Sequence, residues 1–507
     1  MSATSPSTQS EVPLSSVKSP KHAGDVLAWV AVVALTGLAA FLQLHAITVK
    51  SLWLDEGASI TFARLDWYNF LRIMWRREMN MVLYYLLLRG WLHFGDSVTF
   101  IRGLSVIFAS AAVPAIFVLG RRLQGTVVGI VSALLLAVNA FQVRYAQEAR
   151  SYSLLVLLLV LSAYFFVSAV PSGRRRDWNW YIGISTLAVY AHFFAILVVL
   201  SHWGALRIAR YIGIASDTTL QAKSNRALRL TILWTLPIWV FIVTTGAGPI
   251  AWIPRPGLSD IVGLFKKLSG NAQTPLLIVY SICVAVGLLA RIRALRRRES
   301  RATNNIVLIC WLFVPLIIVL LVSLARPVFA PRYLMISLPA WIILAAEGIT
   351  SFRPRALGLI ATVAIACLGI GGVWSYYKLD FDIVRNDVRS ATNYILDHAQ
   401  ADDGIVFYSL STRFPYDYYA ANTHAQTKPH ILWPGSNSVL VWRDFMGVPP
   451  PARVPKFAEG HDRIWVVTTP MPPNDPKFAA FESALSQYYR LSDTMDFPAV
   501  RVTLFTR

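Results

Sequence analysis

The sequence predicts a polytopic α-helical membrane protein with about eleven transmembrane helices, followed by a small C-terminal extracytoplasmic α/β domain. Three observations carry that prediction. The chain is 55% hydrophobic and only 15% charged over 507 residues, with a mean hydropathy of +0.51, more apolar surface than a water-soluble globule can bury. Apolar runs long enough to cross a hydrocarbon layer of roughly 30 Å recur from residue 25 to residue 376. After Trp374 the hydropathy collapses, and residues 377–507 mix polar and apolar positions as a small soluble domain does.

Residues 1–24, rich in Ser, Thr, Pro and Lys, read as a disordered cytoplasmic tail. The run 25–46 is too long for a signal-peptide core, and no small-residue cleavage site closes it, so it reads as a retained first span. Further spans are expected near 101–120, 123–140, 151–170, 180–193, 194–210, 229–246, 273–290, 305–325, 333–350 and 356–376. Only the turn Ala191-His192-Phe193 separates the fifth from the sixth. In the outer domain, 387–398 has helical spacing, with Val388, Ala391, Ile395 and Leu396 on one side, and 478–491 reads as a second helix. The runs 404–408, 463–468 and 500–505 read as strands.

The net charge of +20 does not require nucleic acid, because its arginines fall in short clusters between apolar runs. Lys18 and Lys21, Arg121 and Arg122, Arg174 to Arg176, the stretch 207–229, the cluster 291–301, and Arg353 and Arg355 all fit inward loops. That places the N-terminus in the cytoplasm and the C-terminal domain outside, in a cell's inner membrane. The long first outward loop, with Arg64, Arg72, Arg76, Arg77 and Arg89, is the exception. Span interiors are expected to hold almost no ionisable groups. Cys283, Cys310 and Cys367 all sit in apolar runs, with neither disulfide-framework nor zinc-site spacing.

The first outward loop, about 47–100, opens with Ser51-Leu52-Trp53-Leu54-Asp55-Glu56-Gly57. Such an acidic pair is either a solvated loop or a catalytic site. Three features favour catalysis: the flanking Trp53 and Leu54, the amphipathic stretch Ile60, Phe62, Leu65, Phe70, Ile73 and Met74 suited to lying on the interface, and a third carboxylate, Glu78, before Leu83-Tyr84-Tyr85-Leu86. A second outward segment places Arg144, Glu148 and Arg150 at the head of the fourth span, either as an interfacial ion pair with tyrosine anchors or as part of a site. Arg326 and Arg332 break the positive-inside trend and so suggest an anionic partner. Another outward loop holds Trp252-Ile253-Pro254, then Lys266 and Lys267.

Taken in order, these pieces resemble the GT-C glycosyltransferases of the protein O-mannosyltransferase and lipid A aminoarabinose transferase kind. The matching segments are Leu52-Trp53-Leu54-Asp55-Glu56, Leu83-Tyr84-Tyr85-Leu86-Leu87-Leu88, Ala146-Gln147-Glu148-Ala149-Arg150-Ser151-Tyr152, Trp252-Ile253-Pro254, Pro331-Arg332-Tyr333-Leu334 and Asp387-Val388-Arg389. One departure stands out. Relatives commonly read acidic-x-His-Pro-Pro-Leu-Tyr-Tyr, where this chain has Glu78-Met79-Asn80-Met81-Val82-Leu83-Tyr84-Tyr85.

The resemblance implies a sugar donor on a polyprenyl phosphate, with a lipid, glycan or protein acceptor and membrane lipid as surroundings. It implies inverting transfer through an oxocarbenium-like state at the outer membrane face. Asp55 would take the acceptor proton, Glu56 or Glu78 would orient the acceptor, and Arg150 and Arg332 would stabilise the departing phosphate, with Lys266 and Lys267 next in line. Tyr84, Tyr85, Arg144, Glu148 and Tyr333 would support them. No soluble-nucleotide pocket is required and no cofactor is indicated with certainty; a divalent metal on Asp55, Glu56 and Glu78 is conceivable, but three carboxylates do not define a site. Two rival readings are a transporter, which normally carries charged or broken helices at the midplane, and a non-catalytic membrane scaffold presenting its outer domain.

Overall fold

The computed structural model describes residues 20–215, 217–246, 252–270, 274–297, 302–378, 386–435, 448–471 and 475–507. Residues 1–19 of the expected tail lie outside that set, and helix α1 (Pro20–Leu44) already begins within its last five positions. The loop after α1 folds into α2 (Leu54–Arg64), α3 (Trp67–Ile73), a wide π-helical turn over Met74–Glu78, a tight 3-10 turn over Met79–Met81, and α4 (Val82–Trp91).

The single amphipathic helix expected from Ile60 to Met74 is therefore two helices. Asp66 breaks it, because its carboxylate takes the Asn69 amide at 3.0 Å and caps a new start. The apolar side also faces inward: Ile60, Phe62, Phe70, Ile73 and Met74 are buried in protein, while Trp67, Tyr68, Leu71 and Trp75 stay exposed. Those exposed residues suit the membrane interface.

The long helix α5 (Val98–Gln124) leads to a bent pair, α6 (Thr126–Ala137) and α7 (Ala140–Ala146), turned by 59°. Asn139 makes the bend, capping α7 through the Gln142 amide at 3.0 Å and donating to the Leu268 carbonyl at 2.9 Å. Next come α8 (Tyr152–Ser172), α9 (Arg175–Ala191) and α10 (Ala195–Tyr211). A second bent pair, α11 (Thr218–Trp234) and α12 (Leu236–Thr245), turns by 57°. Then α13 (Leu258–Leu268), α14 (Thr274–Arg296), α15 (Ala302–Ala325), α16 (Leu338–Ser351) and α17 (Arg355–Lys378) complete the bundle.

Among the described residues, seven helices are long and apolar enough to cross a membrane, or up to nine if each bent pair is one span. Helices α9 and α10, at the expected fifth and sixth spans, have 17 residues each. Glycines bring α14 and α16 together: a Cβ on Gly348 would fall 1.7 Å from the Cys283 carbonyl oxygen.

The charged groups buried in the bundle lie near helix ends, at positions that the sequence assigns to loops or to no role. Arg102 lies buried in α5, and Arg291 of α14 pairs with Glu347 of α16. Asn305 accepts from Arg291 at 2.8 Å, and Gln124 donates to Glu347 at 3.1 Å. Arg291 therefore turns inward to a partner and is not a solvated topology charge, because counting loop arginines says nothing of which helix face each occupies.

After the bundle, α18 (Val388–His398) precedes β1 (Gly404–Phe407), α19 (Arg413–Ala421), β2 (His430–Trp433), β3 (Arg463–Thr468), β4 (Arg490–Phe497) and β5 (Val500–Thr506). The sheet order is β2-β1-β3-β5-β4, with β2, β1 and β3 parallel and β5 antiparallel to both neighbours. Alternate residues serve opposite faces. Ile405, Phe407, Trp465 and Val467 pack under α18 and α19, and Val406, Ile464 and Val466 pack against Phe457, Phe481 and Leu485. The helix expected over 478–491 spans Pro476–Leu485 instead. From Arg490 the chain is strand β4, whose outermost residues are mostly exposed and so carry no alternating apolar signal.

Candidate active site

The site is built on a braced loop. Arg102 reaches from α5 to Glu56 with a two-pronged pair, Nε to Oε1 at 2.8 Å and Nη2 to Oε2 at 2.7 Å. Its remaining N–H groups hold the backbone carbonyls of Ile47, Lys50 and Ser51. A guanidinium has five donors, and all five are used here. Glu56 also accepts the Ala149 amide at 3.0 Å and is fully buried. It cannot orient an acceptor, contrary to the role the motif implied; it ties α2 to α5 and to the segment before α8.

The C-terminal sheet domain clamps the same loop. Arg389 donates to the Thr48 and Val49 carbonyls at 2.8 and 3.0 Å, and the Tyr419 hydroxyl takes the Leu52 amide at 2.8 Å. Gly57 packs so tightly on α19 that a Cβ would lie 2.8 Å from the Pro415 nitrogen. Lys50 donates to the Tyr376 carbonyl at 2.8 Å, fastening the loop to the end of α17.

One residue before Glu56, Asp55 faces the other way. Its carboxylate lies 3.5 Å from Arg150 Nη2 and 3.7 Å from Arg332 Nη1, with about a quarter of its side chain exposed (24%). Arg150 Nη1 also donates to the Tyr85 hydroxyl at 3.0 Å, which in turn donates to Glu78 Oε2 at 2.9 Å. Burial raises the Glu78 carboxyl above the ordinary carboxylate range, against the opposing pull of Arg150 and of the Tyr85 hydrogen bond. Burial likewise pushes the Tyr85 phenol well above its usual value. Glu78 thus backs Tyr85, which backs Arg150. The Arg332 guanidinium lies among the rings of Trp252, Tyr333 and Trp53, at 5.0, 5.5 and 6.0 Å.

The structure therefore gathers Asp55, Glu78, Tyr85, Arg150, Arg332 and Tyr333 into one cluster. Tyr84 points instead to the Ser105 hydroxyl at 2.8 Å, beneath the Arg150 backbone. Arg144 and Glu148 pair with each other at 3.6 Å. Lys266 and Lys267 lie half-buried at the end of α13, where Leu268 meets the bend at Asn139, and neither enters the ion pairs of Asp55 given above. Asp55, Glu56 and Glu78 do not converge as a metal site would require, since each is turned to a different partner. Among the described residues no group of three His, Cys, Asp or Glu is placed to hold a metal ion. The motifs missed Arg102, although a lone arginine inside an apolar run was a visible signal.

With this geometry in view, the likeness to known proteins is specific. Residues 80–235 match the family described as dolichyl-phosphate-mannose-protein mannosyltransferase. The fold matches that of ArnT from Cupriavidus metallidurans in its apo state, with a TM-score of 0.64 at 13% identity over 95% of this chain and 98% of that one. It matches ArnT bound to undecaprenyl phosphate equally well, at 0.64 and 13% over 94% and 97%. The archaeal oligosaccharyltransferase AglB from Archaeoglobus fulgidus, solved with an inhibitory peptide and a dolichol-phosphate, gives 0.58 at 10% identity over 95% and 74%. No curated protein sequence matches. The chain thus has the GT-C fold. Together with the family match, this supports the resemblance to membrane glycosyltransferases of the ArnT and protein O-mannosyltransferase type.

Proposed function

We propose that this protein transfers a sugar, with inversion, from a polyprenyl-phosphate donor to an acceptor hydroxyl at the outer face of the cytoplasmic membrane, with Asp55 as general base. The orientation rests on the inward arginine clusters, which leave the Asp55 loop and the sheet domain outside. The observation that carries the proposal is that one carboxylate, Asp55, shares its position with two guanidiniums, Arg150 and Arg332. A base and phosphate-binding cations are the two parts this reaction needs side by side.

The charges balance through the transfer. The donor is a phosphodiester with one negative charge, facing two arginines already partly neutralised by Asp55. As the acceptor oxygen bonds to the anomeric carbon, the carbon–oxygen bond to phosphate breaks and its electron pair stays on phosphate. The acceptor proton passes to Asp55. The base thereby loses its charge as the leaving phosphate gains a second one, and both guanidiniums are released to hold it.

A transporter gains some support from the buried Arg291–Glu347 pair. That pair, however, is bound to Asn305 and Gln124 on two further helices, as a lock between helices would be. A scaffold predicts that Asp55 is dispensable. Asp55→Asn keeps the shape and removes the base, and turnover with a polyprenyl-phosphate sugar should fall about a hundredfold to ten-thousandfold. Wild-type turnover in a well-folded Asp55→Asn protein would remove the catalytic assignment.

A further inference from the structure

Around the two arginines lie buried donors that find no acceptor. Among the described residues, Nε of Arg150, Nε of Arg332, the Tyr152 hydroxyl, His192 Nε2 and Trp53 Nε1 are all buried without a hydrogen-bond partner. Tyr152 is 1% exposed and His192 is 0% exposed. Tyr152 closes the matching segment Ala146–Tyr152 and His192 lies in none of the motifs, and neither has a part in the chemistry above.

The proton on His192 can be placed. The Phe194 amide points at Nδ1 from 3.3 Å, so Nδ1 presents its lone pair and the neutral ring carries its hydrogen on Nε2. The ring lies 6.0 Å from that of Tyr152 and 5.1 Å from that of Tyr333, centre to centre, and Tyr333 is the residue beside Arg332. The charged neighbours of both His192 and Tyr152 are Arg150 and Arg332. Asn80, which occupies the histidine position of the motif, accepts the Phe193 amide at 3.0 Å and pins the turn that carries His192.

Among the described residues, unpartnered polar atoms elsewhere are of both kinds, since Gln142 leaves an oxygen as well as a nitrogen. Here the five atoms include no obligate acceptor. Buried donors left together without an acceptor mark a place for an anion. We infer that Tyr152 and His192 are ligands of the lipid phosphate, donating neutral hydrogen bonds to its oxygens beside the charged contacts from Arg150 and Arg332. Neutral donors fix the phosphate without adding a third cation, which would hold the doubly charged product too tightly to release. This inference rests on the polyprenyl-phosphate reading of the site and assigns two further residues to it.

The test is a binding titration of the purified full-length protein with farnesyl phosphate, and with farnesol as the same chain lacking phosphate. Tyr152→Phe removes only an oxygen, and His192→Phe keeps an aromatic ring, slightly larger, with no nitrogen to donate. Each should weaken farnesyl phosphate binding about tenfold, the effect of losing one hydrogen bond to a charged group, and leave farnesol binding unchanged. His192→Gln, which retains an N–H, should recover part of the loss. If both Phe variants bind farnesyl phosphate as the wild type does, the inference is wrong while the lipid-phosphate reading stands. A wild-type protein that binds farnesyl phosphate no better than farnesol overturns both.

Discussion

Two ionic clusters start one residue apart in this protein and behave as opposites. Glu56 and Arg102 are wholly buried, joined by two bonds of 2.7 and 2.8 Å, and every N–H of the guanidinium has an acceptor. Asp55 meets Arg150 and Arg332 at 3.5 and 3.7 Å, partly exposed, with buried donors nearby that have no partner. The first cluster is complete within the protein. The second has unused bonding capacity, and a site that must bind and release a charged ligand needs that capacity. Burial of charge alone does not separate them; saturation does.

The difference can be broken from either side. The largest stability effect should come from Arg102→Met, which strands the Glu56 carboxylate and three carbonyls. A loss of about 3–5 kcal/mol is expected, with the Glu56→Leu and Arg102→Met double variant regaining part of it. Chemical denaturation or thermal melting would show this, whereas Asp55→Asn should leave the same curves unchanged while activity falls. A melting curve unaltered by Arg102→Met would mean that the two clusters do not differ as described.

A smaller effect is expected at Gly57, the residue that follows both carboxylates. Gly57→Ala drives a methyl into backbone atoms of Phe414 and Pro415 that cannot rotate away. It should cost about 1–3 kcal/mol and lower turnover by loosening the loop. Wild-type stability and activity would show that the outer domain does not press on the loop.

The smallest effect concerns Glu78. Burial favours its protonated form in the folded state, so its contribution is complete below the ordinary carboxylate pKa and is lost as pH rises through the raised value. Glu78→Gln keeps an acceptor for Tyr85 and should change neutral-pH stability by about 1 kcal/mol or less. It should also flatten the decline in stability on the alkaline side of that range. An unchanged pH profile would remove Glu78 from the account.

Much of this architecture was legible in the sequence because hydrocarbon imposes long apolar runs, and most runs were read within a few residues of a helix, whereas 229–246 straddles the bend between α11 and α12. The site motifs were legible too, as short strings. What the strings hid was direction. Asp55 and Glu56 share the first turn of α2, where successive side chains point about 100° apart, so neighbours of the same chemistry serve different partners. The partner of Glu56 lies 46 positions away and that of Arg291 lies on another helix, beyond any local pattern. Strand β2 has four residues, too few for alternation to register. The part played by His192 depends on which atoms lack a partner, and that emerges only when the turns around it are packed.

The clamp from the C-terminal sheet domain also has a consequence for how the protein is made. Arg389 fastens a loop 338 to 341 positions earlier in the chain. At a synthesis rate of roughly 5–20 residues per second, the loop waits on the order of 20–70 seconds between its own translation and that of the residue that fixes it. During that interval the helices insert, but the Asp55 loop lacks its upper support. A nascent or prematurely stopped chain would therefore reach the membrane with its Asp55 loop unbraced, and a braced loop would report that the C-terminal sheet domain had been made and folded.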